Sequence, residues 1–198
     1  TLTNWSEIAT GEMHVMSIKT DGTLWAWGLN TYGQLGLGDN TDRSSPVQVG
    51  ALTNWDSVNC GRYYSAAIKT DGTLWTWGNN SYGQLGQSDL THRSNPVQVG
   101  ALTNWSSVSA GALHTMAIKT DGTLWACGGY NNATGALGLS DTTDRSSPVQ
   151  VGSLTDWGKV ISGNSRTAAF KTDGTLWTWG FGALGSPNST YRSSPAQA

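Results

Sequence analysis

The chain has 198 residues and a formal net charge of −2, and charged residues make up only 12% of it, about half of the usual share. This composition offers no basic face for nucleic acid or an anionic membrane, and no apolar run approaches the roughly 20 residues of a membrane span. The 26 glycines and 11 tryptophans indicate many tight turns and a core filled by aromatic side chains, not a disordered chain.

The first 50 residues contain the pattern of four short strands. Residues 5–10 alternate between two sets of side chains, as expected for a strand with two different faces. Residues 14–20 do the same, and the dipeptide Asp21–Gly22 that follows is a strong hairpin signal. Residues 23–28 then place two tryptophans on one face, and Pro46–Val49 has the form of an outer strand, where a proline at the start is tolerated. No segment shows helical spacing.

This pattern is repeated four times. The heptapeptide KTDGTLW begins at residues 19, 69, 119 and 171, so the repeats cover approximately residues 1–50, 51–100, 101–152 and 153–198. Four strands per unit at a fixed period predict an all-β fold, a β-propeller with four antiparallel blades in a single propeller or half-propeller domain. Length changes collect in the loop after the third strand, which places that loop on the surface.

Each predicted blade has one face of large side chains and one of small ones. In the second strand, Met16 and Ile18 oppose Val15 and Ser17, and the other units repeat this contrast. Tryptophans recur on the third strand, although Cys127 replaces one of them in the third unit. Large side chains set against small ones allow neighbouring sheets to interdigitate, so the core is predicted to lie between the blades.

The first unit carries a set of marker residues: Gly11, His14, the hairpin, Trp27–Gly28 and the loop Asn30–Gly36. With these it resembles the repeat of the regulator of chromosome condensation family, and the second unit matches over its whole length. The third unit departs at its loop, while the fourth lacks the loop Asn and Gln and has Arg166 at the His position. The resemblance implies a β-propeller that usually has seven blades, whereas this chain has four.

Four blades leave three ways of completing a ring. The chain is part of a longer seven-bladed protein, it closes alone as a four-bladed ring, or two chains join into an eight-bladed ring. An open half-ring exposes two apolar blade faces, and soluble monomers rarely leave such large patches uncovered. A homodimer or a larger propeller is therefore expected in preference to an open monomer.

Residues able to carry catalysis or bind a metal are few. The histidines at 14, 92 and 114 match no metal-binding motif, and Cys60 and Cys127 have the pattern of buried substitutions without a disulfide. In a closed four-bladed ring, the first and third histidine positions would face each other across a channel and line it as polar groups. The outer loops carry recurrent arginines, predicted to pair with local acids or carbonyls: Arg43, Arg93, Arg145 and Arg192. No catalytic residue, metal or cofactor is predicted.

The repeats differ most just before and at the start of the second strand, where they read GEMH, GRYY, GALH and GNSR. These positions occupy one end of a strand in every blade, so they are predicted to project from one propeller face near the axis. A variable surface on a fixed scaffold is a place where a propeller can bind a partner. The predicted partner-binding residues are Glu12, Met13, His14, Arg62, Tyr63, Tyr64, Leu113, His114, Ser165 and Arg166.

The function that follows is a non-catalytic scaffold for protein–protein interaction, with self-assembly into a larger ring as one form of it. The family resemblance implies two alternatives: a nucleotide exchange factor for a small GTPase, and a protein inhibitor of an enzyme such as a β-lactamase. No insertion is long enough to serve as the wedge of an exchange factor. The near-identical repeats, low charge and high Ser, Thr and Asn content favour a bacterial or phage protein, extracellular or virion-associated, over a nuclear or cytoplasmic one.

Overall fold

The computed structural model describes residues 3–129, 134–182 and 191–198 of the chain. These residues form sixteen β-strands, and each consecutive group of four makes one antiparallel sheet, or blade, with its strands in chain order. The strands are β1 (Trp5–Thr10), β2 (His14–Lys19), β3 (Leu24–Gly28), β4 (Arg43–Gln48), β5 (Trp55–Cys60), β6 (Tyr64–Lys69), β7 (Leu74–Gly78), β8 (Arg93–Gln98), β9 (Trp105–Ala110), β10 (His114–Lys119), β11 (Leu124–Gly128), β12 (Arg145–Gln150), β13 (Trp157–Ser162), β14 (Arg166–Lys171), β15 (Leu176–Phe181) and β16 (Tyr191–Gln197). The predicted all-β fold with four four-stranded blades is confirmed.

The order of the strands decides which loops share an end of the molecule. Because neighbouring strands in a blade run in opposite directions, the loops after the first and third strands lie at one end of the sheet. The loops after the second and fourth strands lie at the opposite end. We call the first end the variable face, since it carries the two loops in which the repeats differ most, residues 11–13 and 29–42 in the first blade.

The repeated heptapeptide forms the hairpin between the second and third strands. In the second blade, Gly72 N donates to Lys69 O at 2.8 Å and Gly72 has a φ of 75°, which gives a turn followed by a left-handed glycine. Asp71 Oδ1 accepts hydrogen bonds from both the amide and the hydroxyl of Thr73, and Asp71 itself keeps a negative φ. The connection is therefore a three-residue loop, not the two-residue form in which both central residues have positive φ.

Replacing Gly72 by alanine is expected to lower the free energy of unfolding by about 3 kcal/mol. A Cβ there would lie 2.2 Å from the Thr103 carbonyl oxygen of the next blade, in addition to the cost of the positive φ. Gly100 has a φ of 61° with nothing within 4 Å of its Cβ position, so Gly100→Ala should cost only about 1 kcal/mol. Urea unfolding of both variants measures the difference, and equal losses would show that the turn does not abut the next blade.

The core lies between neighbouring blades, as the sequence predicts. Between the first two blades, Met16, Ile18 and Leu24 of the first pack with Trp55 and Trp77 of the second. Equivalent clusters join the second blade to the third and the third to the fourth. Each contact packs the aliphatic side of one blade, which we call its leading side, against the tryptophan-bearing side of the next, its trailing side.

The lysine of the heptapeptide lies between two tryptophans of its own blade. Lys69 Nζ is 3.6 Å from the ring centroid of Trp75 and 4.8 Å from that of Trp55. Partial burial lowers the pKa of Lys69, and the faces of the two rings replace part of the water that the ammonium group loses. The other three blades hold their lysines in the same way, which explains why the lysine recurs with the turn.

The outer strand of each blade is longer than the sequence predicts. Its expected start in the first blade was Pro46, but β4 begins at Arg43 and the proline lies inside it. The proline is tolerated because β4 is the edge strand, and the register between β3 and β4 shifts between Ala26 and Gly28. Arg43 also donates to Asp39 Oδ2 at 2.6 Å, as predicted, and the second and third blades repeat this ion pair.

The four blades form an open arc. The trailing side of the first blade leaves Trp5 and Ile8 exposed, and the leading side of the fourth leaves Phe170 and Leu176 exposed. At the three internal contacts the tryptophans equivalent to Trp5 are buried, and so are the isoleucines and leucines equivalent to Phe170 and Leu176. The closed four-bladed ring considered from the sequence is therefore wrong for a single chain.

Candidate functional site

A glycine precedes the second strand of each blade by three residues, and it fixes the direction of the strand's first side chain. A Cβ on Gly11 would lie 2.3 Å from His14 Cε1, and one on Gly61 would lie 2.0 Å from Tyr64 Cε1. The ring therefore occupies the space that any larger residue at the glycine position would need. This packing turns the first side chain of β2 and of β6 into the molecule.

His14 and His114 each connect two blades. His14 Nε2 lies 3.0 Å from Ser65 Oγ of the next blade, and the Ser65 hydroxyl donates in turn to Gln34 O. The hydroxyl has one hydrogen, so it accepts from His14, which is then the neutral tautomer with its hydrogen on Nε2. His114 makes the equivalent contact with Thr167 at 3.1 Å. Burial lowers the pKa of both histidines to about 4.

Tyr64 holds the equivalent position between the second and third blades. Its hydroxyl donates to His114 O at 2.5 Å and lies 2.9 Å from Thr115 Oγ1, and its side chain is fully buried. Burial between neighbouring blades leaves His14 and Tyr64 no surface to offer a partner, so the prediction that these two bind one is wrong. His114 is also buried but lines a groove on the variable face, and for it partner binding stays a prediction. None of the three faces another across a channel, because each packs between neighbouring blades and joins them.

The other seven predicted residues lie at the surface of the variable face, exposed or half-buried. They are Glu12, Met13, Arg62, Tyr63, Leu113, Ser165 and Arg166. For these residues partner binding stays a prediction. They lie in the loops between the first and second strands, apart from Arg166, which begins β14, and these loops converge across the four blades.

Arg62 organises the part of this surface that belongs to the first two blades. Its Nε donates to Glu12 Oε2, and its guanidinium carbon lies 5.2 Å from the centroid of the Tyr63 ring. The hydrogen bond and charge of Glu12 raise the pKa of Arg62, which stays a cation. An exposed ion pair of this kind contributes little to stability, because water and salt screen it. Its main consequence is that a charged and an aromatic group stand together at the surface.

A groove opens beside Tyr63 and extends from the first blade to the fourth. It encloses about 550 Å³, and we call it the tyrosine groove after three of its lining residues, Tyr32, Tyr63 and Tyr82. The rings of Tyr32 and Tyr63 lie 5.6 Å apart, so the loops of two blades meet there. Leu113 and Ser165 continue the lining into the third and fourth blades. Amphipathic aromatic rings around a polar groove provide contact area and hydrogen-bonding groups together.

The loop after the third strand holds Tyr32 in place through buried amides. Asn30 Nδ2 donates to the carbonyl oxygens of Asp39 and Thr41, and Asn30 Oδ1 accepts from Leu35 N. Tyr32 N donates to the side chain of Gln34 at 2.9 Å. Tyr32 and Tyr82 were not among the predicted site residues. Their signal was available, because the sequence YGQLG recurs in the loop that the repeats identify as a second variable surface.

The corresponding loops of the last two units are described only in part. Residues 130–133 and 183–190 lie outside the described residues, and with them most of the length changes that the sequence places in these loops. A second cavity, of about 420 Å³, lies where the loops between the first and second strands of all four blades converge. Its lining includes Gly11, Gly61, Gly111 and Gly163, so backbone forms much of its wall.

Groups suited to catalysis or metal binding are scarce in the part of the chain that the structure describes. No three His, Cys, Asp or Glu side chains there are placed to hold a metal ion, and no helix there is long and apolar enough to cross a membrane. Cys60 and Cys127 are free and buried, and burial raises the pKa of both thiols to about 12. They are therefore protonated at neutral pH and are poor nucleophiles.

Comparison with protein families gives matches across the first three units and into the start of the fourth. The family described as "Regulator of chromosome condensation (RCC1) repeat" matches residues 21–68, 71–118 and 121–170. A second family of the same description matches residues 5–34, 55–84 and 105–135. The matched residues of the first family cover more than half of the chain.

Two solved structures show the same arc of blades. Yeast RCC1 (Prp20), solved bound to Kap60, is 22% identical with a TM-score of 0.85, and the match covers 100% of this chain and 49% of that one. Human WBSCR16 is 20% identical with a TM-score of 0.86 and coverages of 98% and 51%. At this identity the likeness concerns the fold, and the chain spans about half the length of these structures.

Curated relatives match over single repeats. The ultraviolet-B receptor UVR8 of Arabidopsis thaliana is 48% identical over 42 residues, which are 21% of this chain and 10% of that protein. Ras guanine nucleotide exchange factor C of Dictyostelium discoideum is 45% identical over 42 residues, or 21% and 3% of the two chains. The matched segments thus represent one repeat within much longer proteins of different function.

Proposed function

The chain belongs to the regulator of chromosome condensation (RCC1) repeat family, and from this premise we propose that it is a non-catalytic scaffold that binds a partner protein in the tyrosine groove. The observation that carries the proposal is the groove itself. It lies on the variable face, has a volume of about 550 Å³ and is lined by the tyrosines at 32, 63 and 82. Tyrosine and arginine are enriched among the residues that dominate protein interfaces.

The surroundings of the groove support a protein partner more than a small molecule. The lining extends over four blades and includes Arg62 and Leu113, so a flat partner surface can contact aromatic, charged and apolar groups at once. The buried histidines and Tyr64 fix the blades below, which keeps the loops in a defined arrangement before binding. A preorganised surface loses less conformational entropy when a partner binds.

The scaffold role extends to self-association, which we propose as its second component. The exposed apolar side chains on the outer sides of the first and fourth blades support it. The composition supports an extracellular or virion-associated location, and fractionation of the source cells with an antibody to the chain tests that. A chain confined to cytoplasm or nucleus would contradict it.

Tyr63→Ala is expected to weaken binding of the partner by about tenfold, because central aromatic residues at interfaces contribute about 1.4 kcal/mol or more. The partner is isolated on the immobilised chain from an extract of the source organism, identified by mass spectrometry, purified, and titrated against each variant. Leu102→Ala is the control, since Leu102 is an exposed side chain in a loop at the opposite end of the blades.

Equal affinities of the Tyr63→Ala and Leu102→Ala variants would contradict the groove as the binding site. The identity of the purified partner then separates the roles that the family resemblance implies. A small GTPase whose nucleotide exchange accelerates would favour the exchange factor, and an inhibited enzyme would favour the inhibitor. A partner that is neither, and that retains its own activity in the complex, would favour the scaffold.

A further inference from the structure

The trailing side of the first blade carries the residues that form a blade contact elsewhere in the chain, but no leading side packs on it among the described residues. Ile8 is 66% exposed, whereas Val58 at the equivalent position of the second blade is 3% exposed. Trp5 and Trp27 stand beside it, and together with Pro46 they line an apolar cavity of about 600 Å³. Tryptophans at the equivalent positions of the second blade are buried against the leading side of the first.

The leading side of the fourth blade is also uncovered, although the leading sides of the other three blades are packed against a neighbour. Phe170 is 43% exposed, whereas Ile18 at the equivalent position of the first blade is 2% exposed. Leu176 is also exposed, although the leucines at the equivalent positions, 24, 74 and 124, are buried. The chain therefore exposes one trailing side and one leading side, the two surfaces that pack together at its three internal contacts.

The hairpin turns between the second and third strands show the same open side, since the turn of the fourth blade has no neighbouring backbone. At the internal contacts, a Cβ on Gly22, Gly72 or Gly122 would lie within 2.2 Å of a threonine carbonyl oxygen of the next blade. The Cβ position of Gly174 in the fourth blade meets nothing within 4 Å. The turn glycines also accept a hydrogen bond from the first tryptophan amide of the next blade, as Gly72 O does from Trp105 N at 3.0 Å. The corresponding groups, Gly174 O and Trp5 N, lie one on each open side.

The fourth blade differs from the other blades in the apolar residues of its open side. It carries Ile161, where the second and third blades have Asn59 and Ser109, and Phe170, where the first three have isoleucine. Ile161 is exposed on the same side as Phe170. The differences between repeats thus enlarge the apolar surface of this open side, and large apolar surfaces are rarely left uncovered.

A polar pair changes on both open sides together. At the internal contacts a histidine or tyrosine meets a hydroxyl of the next blade, as His14 meets Ser65. The fourth blade has Arg166 in place of the ring, and the first blade has Val15 in place of the hydroxyl. If these two sides pack on each other, no buried hydroxyl is left without its aromatic partner. If the fourth blade packed on an internal type of blade, a hydroxyl would lack its ring. If the first blade did so, a ring would lack its hydroxyl.

We propose that the leading side of the fourth blade packs on the trailing side of the first blade of a second copy of this chain, and the reverse, in a two-fold ring of eight blades. Both contacts repeat the geometry of the internal ones, and a two-fold axis satisfies both open sides at once. The inference rests on the self-association in the proposed function and is independent of the tyrosine groove, whose residues lie at the end of the blades and not between them.

The test is the absolute mass of the purified 198-residue chain by light scattering after size exclusion. We expect a mass of twice 20.9 kDa for the unmodified chain and of 20.9 kDa for Ile8→Glu. The control is Leu90→Glu, because Leu90 is 59% exposed in an outer loop and away from both open sides, and this variant should keep the doubled mass. Circular dichroism checks that each variant is folded.

A second variant tests which surfaces meet. Phe170→Glu alters only the fourth blade, so it should also give 20.9 kDa, while an equimolar mixture with Ile8→Glu retains one intact contact and should regain the doubled mass at high concentration. If the first blades paired with each other, Phe170→Glu would keep the doubled mass and overturn the proposal. A single-chain mass for the unmodified protein, or masses that grow continuously with concentration, would overturn it as well.

The outcome is separable from that of the groove. Tyr63→Ala should keep the doubled mass, and Ile8→Glu should still bind the partner isolated on the unmodified chain. A monomeric chain that binds its partner through Tyr63 would refute the ring and support the groove. A dimer whose partner binding is unchanged by Tyr63→Ala would support the ring and refute the groove.

Discussion

Tyr64→Ala is expected to lower the free energy of unfolding by about 4 kcal/mol, the cost typical of removing a buried aromatic ring. The ring packs on Gly61, and its hydroxyl bonds His114 O and lies beside Thr115 of the third blade. Truncation would leave a cavity between two blades and remove the link between them. Chemical denaturation monitored by tryptophan fluorescence measures the loss.

Two variants separate the contributions of the ring and its position. Tyr64→Phe keeps the ring and removes the hydroxyl, so it should cost about 1–2 kcal/mol, since His114 O retains its bond from Gly111 N. Tyr63→Ala changes the neighbouring surface tyrosine and should stay within about 0.5 kcal/mol of the unmodified chain. If Tyr64→Ala were as mild as Tyr63→Ala, the assignment of Tyr64 to the core would be wrong.

The fold could be predicted from the sequence because its signals are periodic and local. The hairpin needs a residue with positive φ at one position, and the glycine of KTDGTLW supplies it four times. The alternation of large and small side chains fixed the two sides of each blade. Each of these signals recurs in every unit, so the prediction of four blades did not depend on a pattern that one unit could show by chance.

The site was harder to predict, because adjacent residues have opposite environments. Tyr63 and Tyr64 have the same side chain, yet one lies in the groove and the other is buried, since the second strand begins between them. Both positions vary among the repeats. Variation alone does not distinguish a residue at the surface from one in a contact between blades, because the residues on the two sides of such a contact can vary together. The glycine three residues before Tyr64 was the available signal, because its lack of a Cβ makes room for a ring.

Closure of the ring could not be predicted either. The same apolar sides serve internal contacts in three blades and open surfaces in one, so composition alone cannot tell which are covered. The exposed side is identified only when equivalent positions are compared in the structure, as Ile8 of the first blade with Val58 of the second. Tyr32 was missed for a related reason, since it belongs to a loop that the sequence marks as surface without showing where that loop folds.

Stability is expected to fall as the pH is lowered from about 6.5 to about 4, through the two histidines buried between blades. Their pKa in the folded chain is about 4, while in the unfolded chain it is near 6.5. Within this window the unfolded state binds protons that the folded state does not, so lower pH favours unfolding. Each histidine should reduce the free energy of unfolding by about 3 kcal/mol at the acidic end, a large part of the 5–15 kcal/mol typical of a domain.

The geometry gives the reason for the low pKa. Each Nε2 hydrogen is donated to the hydroxyl of the next blade, so a second proton has to bind Nδ1. In His14 that atom is buried without a hydrogen-bond partner, and it lies against Gly11. A charge there would lie away from bulk solvent and without an acceptor to stabilise it.

The measurement is urea unfolding at a series of pH values, with a variant that the chain itself suggests as control. Tyr64 occupies the equivalent position without titrating in this range, so a chain with His14→Tyr and His114→Tyr should lose little stability between pH 6.5 and 4. Aspartates of the turns, whose pKa hydrogen bonds lower, contribute to unfolding only below about pH 4, as their stabilisation is lost when the pH falls through their folded pKa. The two effects are therefore separated on the pH axis. If the double variant and the unmodified chain lost stability in parallel above pH 4, the titrating groups would lie elsewhere, and the histidines would not be the neutral connectors between blades that their hydrogen bonds indicate.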